Sequence, residues 1–291
     1  MAAIESALLQ RGGMCLAESR PSVQLMYLLR FLTGAALCAE VAGDNGHLGR
    51  TAWGAVAWMT MLFAIYLFNG VTDLEEDRLN GSGRPIARGD LEPGLASSVA
   101  VCTALLSLVA GFALSPVMGG MLVAMLVLGY LYSGPPFPLK RSSAGTVFTG
   151  FAATLLTYFG GVFAHAGQLT SSTMLIVFVV AASLWTALVG STAKDLPDIE
   201  GDAQAGRATF AVVHGERVLR RAITLVALGL AVAFTVVILV LDLPLWSGAL
   251  AMLAGAAVIA VLCAKGFRRE PYGAFMATQY ALHGLTILPL A

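Results

Sequence analysis

The chain has 291 residues, of which 58% are hydrophobic and only 12% charged, whereas a soluble domain carries about 25% charged residues. Its mean hydropathy of +0.81 and its long apolar runs exclude a soluble globular protein and place it among integral membrane proteins. The formal net charge is zero, so the total points to no partner, and no nucleic acid is expected.

Residues 1–22 form a short polar segment without the apolar core of a signal peptide. Insertion therefore falls to the first span. A spanning helix needs about 20 mostly apolar residues, and nine segments qualify in chain order: 23–43, 51–69, 95–114, 116–132, 144–165, 172–191, 218–241, 244–265 and 271–290. "LSPV" around Pro116 divides the third from the fourth, and "LDLP" divides the seventh from the eighth. The ninth is the weakest, because Gln279 and His283 interrupt it. Gly and Ala in the fifth and eighth read as close helix packing. Cys15, Cys38, Cys102 and Cys263 are scattered and read as small apolar residues. The fold class expected is all-α, a polytopic bundle of about nine transmembrane helices, with one domain over residues 1–291.

Nine spans put the N-terminus and the loops after spans 2, 4, 6 and 8 on one side. That side receives 15 of the 17 Lys and Arg residues; Arg30 lies within the first span and Arg50 on the other side. Basic residues in short loops mark the cytoplasmic face. Eleven of the 17 acidic residues share that face, in the loops after spans 2 and 6. Acids contribute little to topology, so their clustering calls for another cause.

The first cluster is "NGVTDLEED", residues 69–77. Read as a continuation of the second helix, it stacks Asn69, Asp73 and Asp77 at i, i+4 and i+8 on one face. Like charges at that spacing, at the hydrocarbon edge, require cationic compensation. The second cluster, "KDLPDIEGD", sets Asp198 and Asp202 at i, i+4; Asp195 is either on that face or a cap at a helix start near Pro197. Carboxylate and amide oxygens are hard ligands suited to Mg²⁺, which reaches proteins through a few carboxylates plus substrate phosphates. Two facing clusters can hold such ions on a diphosphate, with Arg84, Arg88, Lys140, Arg141 and Lys194 near enough in sequence to contact it.

These motifs resemble the UbiA superfamily of intramembrane prenyltransferases, whose pattern is NxxxDxxxD after the second helix and DxxxD after the sixth. "SRPSVQLMYLLRF", "RLNGSGRPIARGDL" and "YSGPPFPLKR" resemble three further family segments. The resemblance covers essentially the whole chain. It implies nine helices around a central cavity and Mg²⁺-dependent transfer of a prenyl group from a prenyl diphosphate to a small acceptor, most plausibly an aromatic ring. It implies magnesium–diphosphate binding by Asn69, Asp73, Asp77, Asp195, Asp198 and Asp202, with Asp73, Asp77, Asp198 and Asp202 as the catalytic carboxylates. It implies phosphate contacts from Arg84, Lys140, Arg141 and Lys194, and a phosphate or acceptor contact from Tyr132. The membrane expected is the plasma membrane, with both acidic motifs cytoplasmic. Gly70 and Val71 depart from the Asn-Asp start of some aromatic-acceptor relatives, so the resemblance leaves the acceptor open.

Breaking an allylic C–O bond places negative charge on the diphosphate and positive charge on the prenyl carbon, which aromatic faces stabilise. Tyr130, Tyr158, Phe159, Phe163 and Trp185 on spans 4–6 are candidates for that role, although lipid-facing or packing positions explain each one singly. His47 and His165 fall on the side away from the motifs, His214 reads as part of a turn, and His283 as a buried histidine bonded to a neighbouring helix. Arg30 and Glu40 are intramembrane charges, of which Arg30 is expected to face the cavity. Alternatives on the same scaffold are a glycerol-phosphate or tetrapyrrole acceptor, or terpene cyclisation without one. A transporter is disfavoured because carriers bind near mid-membrane, and a CDP-alcohol phosphotransferase because its DGxxAR start is absent.

Overall fold

The computed structural model describes residues 2–42, 48–168 and 170–288. His47 lies outside the described residues. The chain is helical, and among the described residues the one isolated extended pairing is a parallel bridge between Ser142 and Ala208. The N-terminal polar stretch is itself a helix, α1 (Ala2–Glu18), followed by α2 (Pro21–Ala42) and α3 (Leu48–Thr72). Two short helices, α4 (Leu74–Leu79) and α5 (Pro85–Arg88), lead to α6 (Pro93–Leu114), α7 (Pro116–Ser133) and α8 (Ser143–Ala166). Next, α9 (Thr173–Leu184) runs through a π-helical turn at Trp185–Gly190 into α10 (Ser191–Lys194). The short α11 (Ile199–Gln204) and α12 (Phe210–His214) precede α13 (Glu216–Leu241), α14 (Trp246–Ala264) and α15 (Glu270–Ile287).

Among the described residues eight helical segments are long and apolar enough to cross a membrane, and they coincide with the first eight predicted spans. The ninth, α15, has 18 residues but stands outside that set. Its interrupting residues explain why. Gln279 and His283 are fully buried, and they bond to Arg30 on α2 and Tyr158 on α8. The polarity that weakens α15 as an apolar segment ties it into the bundle against α2 and α14.

Helix ends follow local chemistry. Ser115, Ser142 and Ser172 cap α7, α8 and α9 by accepting from the N–H groups of Met118, Gly145 and Leu175, which would otherwise lack partners. On α6 the buried residues are small, Ala96, Ala100, Ala104, Ser107 and Gly111, while Val101, Leu105, Leu106 and Val109 face outward. This is the arrangement expected in lipid, where outward bulk costs nothing and small inward residues let helices approach. The backbones of α2 and α8 approach closely. A Cβ on Gly34 would overlap the Tyr158 carbonyl, and one on Gly161 the Phe31 carbonyl. That crossing sets where α2 lies, and with it the residues that α2 presents to the interior.

Candidate active site

At one end of the bundle a cavity of about 410 Å³ opens between α2, α3, α7, α8, the α9–α10 segment and α15. Asn69, Asp73 and Asp77 line it, as do Asp195, Asp198, Tyr132, Lys140 and Lys194. The first acidic segment is helical in register although α3 ends at Thr72. The Asp73 N–H donates to Asn69 O at 2.9 Å and the Asp77 N–H to Asp73 O at 2.7 Å. Asp73 itself sits at φ −91°, ψ 1°, a slight break that starts α4. The i, i+4, i+8 spacing therefore does bring three polar side chains to one wall.

In the second segment Asp195 ends α10 and Asp198 precedes α11. The question left open by Pro197 is answered: Asp195 caps the preceding helix, and both it and Asp198 face the cavity. Asp202 does not line it. Asp202 is 1% exposed and its Oδ1 lies 2.8 Å from Arg207 Nη1, while its Oδ2 has no hydrogen-bond partner.

The two segments touch. A Cβ on Gly201 of α11 would overlap Asn80 Oδ1 at the end of α4. Basic residues stitch the segments together. Lys140 pairs with Asp73 and lies 3.5 Å from Glu76, and Arg207 reaches Glu76 at 4.0 Å and donates to the Lys140 carbonyl at 2.8 Å. This relay supplies the compensation that the clustered acids require. Burial nevertheless dominates at the second segment. It pushes the Asp195 carboxyl up to about 6 against the pull of Lys194 and Arg207, and raises Asp198 and Asp202 as well.

Behind this wall Arg84 lies 2.8 Å from Asp77 and 2.7 Å from Glu18, which is fully buried at the end of α1. Arg84 does not line the cavity; it braces Asp77 from outside. The same cluster accounts for Gly70, since a Cβ there would overlap Glu18 Oε1. Arg88 is a half-exposed partner of Asp90, 2.7 Å away, and Arg141 is exposed; neither lines the cavity. Lys194 donates to Tyr132 OH at 2.8 Å, so these two act as one unit on the wall.

Several lining residues escaped the sequence reading. Glu76 and Arg207 stand within or just after the motifs, yet only the fold pairs them. Arg20 lines the mouth at φ 57°, a left-handed backbone uncommon for a residue other than glycine, and its side chain has no hydrogen bond or ion pair among the described residues. The aromatic expectation is corrected. None of Tyr130, Tyr158, Phe159, Phe163 and Trp185 lines the cavity. Tyr158 and Trp185 are fully buried in packing, and Tyr130 is 50% exposed and stacked on Phe68. The aromatic walls are instead Tyr27, Tyr66, Tyr132, Tyr272 and Phe275.

Residues 27–280 match the UbiA prenyltransferase family. The chain belongs to that family. Among the UbiA protein's relatives, coumarin 8-geranyltransferase 1 of Citrus limon is 31% identical over 163 residues, covering 52% of this chain and 40% of that one. Digeranylgeranylglyceryl phosphate synthase of Ignicoccus hospitalis is 29% identical over 211 residues, covering 71% and 66%. The matched part spans about half the length of the plant relatives. The UbiA fold is shared with a solved UbiA homolog from Archaeoglobus fulgidus bound to GPP and Mg²⁺, at a TM-score of 0.69 and 18% identity, over 94% of this chain and 99% of that one.

Proposed function

We propose that this UbiA-family protein transfers a prenyl group from a prenyl diphosphate to a small acceptor, within the membrane and with Mg²⁺. One observation carries the reading: two acidic segments distant in sequence face a single cavity that also has apolar walls, with Met26, Leu62, Ile65, Met125 and Leu128 along it.

The residues fit a divalent ion. Asp195 is 5% exposed, faces the cavity, and its carboxylate has no hydrogen bond or ion pair among the described residues. No group of three or more His, Cys, Asp or Glu side chains is gathered for a metal ion among the described residues; Mg²⁺ takes one or two carboxylates and completes its shell with water and phosphate oxygens. Asn69, Asp73 and Asp77 on one wall, and Asp195 and Asp198 on the other, would hold it. When bound it supplies charge neutralisation to the departing diphosphate.

The chain's own groups do the rest. Lys194, held by Tyr132, and Arg20, whose guanidinium is within electrostatic reach of Asp77 and Asp198, present cationic donors to phosphate oxygens. Lys140 is engaged with Asp73 and becomes available to phosphate as that carboxylate is taken up elsewhere. Arg84 positions Asp77 from outside the cavity, whereas Arg207, paired with Asp202, itself lines it. Tyr27, Tyr66 and Tyr272 offer ring faces to positive charge growing on the prenyl carbon. The apolar walls receive the chain and exclude water, which would otherwise capture that carbon. An aromatic acceptor is the favoured class, and the cytoplasmic side of the plasma membrane the favoured setting.

The test is incubation of membranes containing the protein with Mg²⁺, a series of prenyl diphosphates and candidate acceptors, with mass spectrometry of products. A prenylated acceptor is expected, with turnover lost at least a hundredfold in Asp73→Ala and Asp198→Ala proteins that still insert. Near-normal turnover in either variant, or after chelation, overturns the reading.

A further inference from the structure

Three cations outside the cavity stand where only lipid can meet them. On α13 the exposed residues Leu225, Leu228, Val232 and Val236 recur at i+3 and i+4 steps and form one stripe, opposite the buried Ile223, Ala227 and Phe234. Arg217 and Arg221 are exposed and continue that stripe by two further i+4 steps toward the end of the bundle that holds the cavity mouth. On α14, which packs against α13, the exposed Leu250, Val258 and Val261 form the equivalent stripe, opposite the buried Met252, Ile259 and Cys263. Lys265, also exposed, continues it by one i+4 step at the same end.

An outward apolar stripe on a spanning helix meets acyl chains, so a long cationic side chain one turn past its end reaches the headgroups beside the helix. The preference for basic residues in cytoplasmic loops explains which end carries these cations. It does not explain why they lie on the lipid-facing side of two adjacent helices. The neighbouring charges leave them uncompensated. Glu216 is taken by Arg220 and Arg268, Glu200 is taken by Arg268, and Arg269 is offset by the adjoining Glu270. Arg217, Arg221 and Lys265 have no ion pair or side-chain hydrogen bond among the described residues. The patch is also held in shape from behind. Arg220 Nη2 donates to Gly266 O at 2.7 Å and Nη1 donates to Phe267 O, which fixes the start of α13 to the loop after α14.

We infer that Arg217, Arg221 and Lys265 form a binding site for the phosphate headgroup of an anionic membrane phospholipid, whose acyl chains lie along the α13 and α14 stripes. A lipid of zero net charge brings its own cation to such a patch and gains less from it, whereas an anionic lipid is drawn to each nearby Lys and Arg. None of the three residues lines the cavity, so the site is separate from that of the diphosphate, and its occupancy is independent of the prenyl-transfer reading.

The test titrates the purified full chain in detergent with phosphatidylglycerol or phosphatidylcholine of the same acyl chains. Native mass spectrometry counts bound lipid, and thermal unfolding reads its effect. The wild type is expected to bind phosphatidylglycerol at least tenfold more tightly than phosphatidylcholine and to unfold at a higher temperature with it. That preference should shrink as salt is raised. The Arg217→Gln, Arg221→Gln double variant is expected to lose the preference, the corresponding double lysine variant to keep most of it, and Lys265→Gln to reduce it. Arg78→Gln removes an exposed cation from the same end, on α4, and is expected to leave the preference unchanged. Soluble glycerol phosphate, which carries the headgroup chemistry without the chains, is expected not to stabilise the protein. If the double glutamine variant fails to fold, Lys265→Gln and the salt series decide. The inference is overturned by equal binding of the two lipids to wild type, or by a preference that survives in every glutamine variant of the patch that folds. A loss in Arg78→Gln as large as in the patch variants, or stabilisation by glycerol phosphate equal to that by the lipid, overturns it as well.

Discussion

Asp195 illustrates what a single residue is asked to do. Its carboxyl is pushed up to about 6 by burial, above the usual value near 3.9. Between those values the folded protein binds a proton that the unfolded chain has already released, so stability falls as pH rises through that window and stays reduced above about 6. In the presence of chelator, Asp195→Asn should therefore be more stable than wild type at pH 7, by on the order of 1–3 kcal/mol, and no more stable at pH 4. Mg²⁺ with a prenyl thiodiphosphate should stabilise the wild type and not the variant. Thermal unfolding in detergent checks both. Glu18 gives a second case. Removing its charge leaves Arg84 with Asp77 alone, so Glu18→Gln should cost about 3 kcal/mol, near the low end for breaking a buried pair. Turnover should fall with it, because Asp77 loses its brace. Asn69, Asp73 and Asp77 were legible because helical spacing is local. The Glu18–Arg84 contact was not, since it joins residues 66 apart in sequence. The cavity aromatics were misassigned for the same reason: composition says that a span carries a tyrosine, but only packing says which way it faces.

At the level of elements, the apolar runs predicted the long helices well, and the departures are informative. The π-helical turn at Trp185–Gly190 interrupts an apolar run that carries no breaker, and nothing in its composition announces it. Such turns recur at functional sites, and this one carries Thr186 and Gly190 on the cavity wall. The break in the second motif was equally hidden, because Pro197 fits either a helix start or a loop. The chain uses it in the loop between α10 and α11, which sends Asp202 away from the cavity and toward Arg207. The crossing of α2 and α8 is a close backbone contact. Gly161→Ala places a methyl into the Phe31 carbonyl, so the helices must separate at a cost of roughly 1–3 kcal/mol. Because α2 carries Arg30 into the cavity and begins just after Arg20, that variant should also weaken substrate binding, whereas Gly229→Ala, where the added methyl meets nothing, should do neither. Melting temperature and KM of the two variants measured side by side provide the check.

The whole molecule resolves the puzzle posed by its charge distribution. A chain with 12% charged residues gathers its acids and bases at one end of an apolar bundle. There the loops after α3, α7 and α10 and the start of α2 surround one opening. That both acidic segments fall at one end was readable from the loops, because consecutive spans alternate in direction. The depth was not, because the surroundings of a buried cation such as Arg30 depend on partners, Thr186 and Gln279, that two other segments place against it. The central claim is that both acidic segments grip one ligand. Equilibrium binding of a prenyl thiodiphosphate to wild type, Asp73→Ala, Asp198→Ala and the double variant, with Mg²⁺ and with chelator, measures this directly. A shared ligand predicts at least tenfold weaker binding in each single variant, a double variant little worse than either, and loss of the difference under chelation. Wild-type affinity in Asp198→Ala, or losses in the two single variants that simply add, would contradict it.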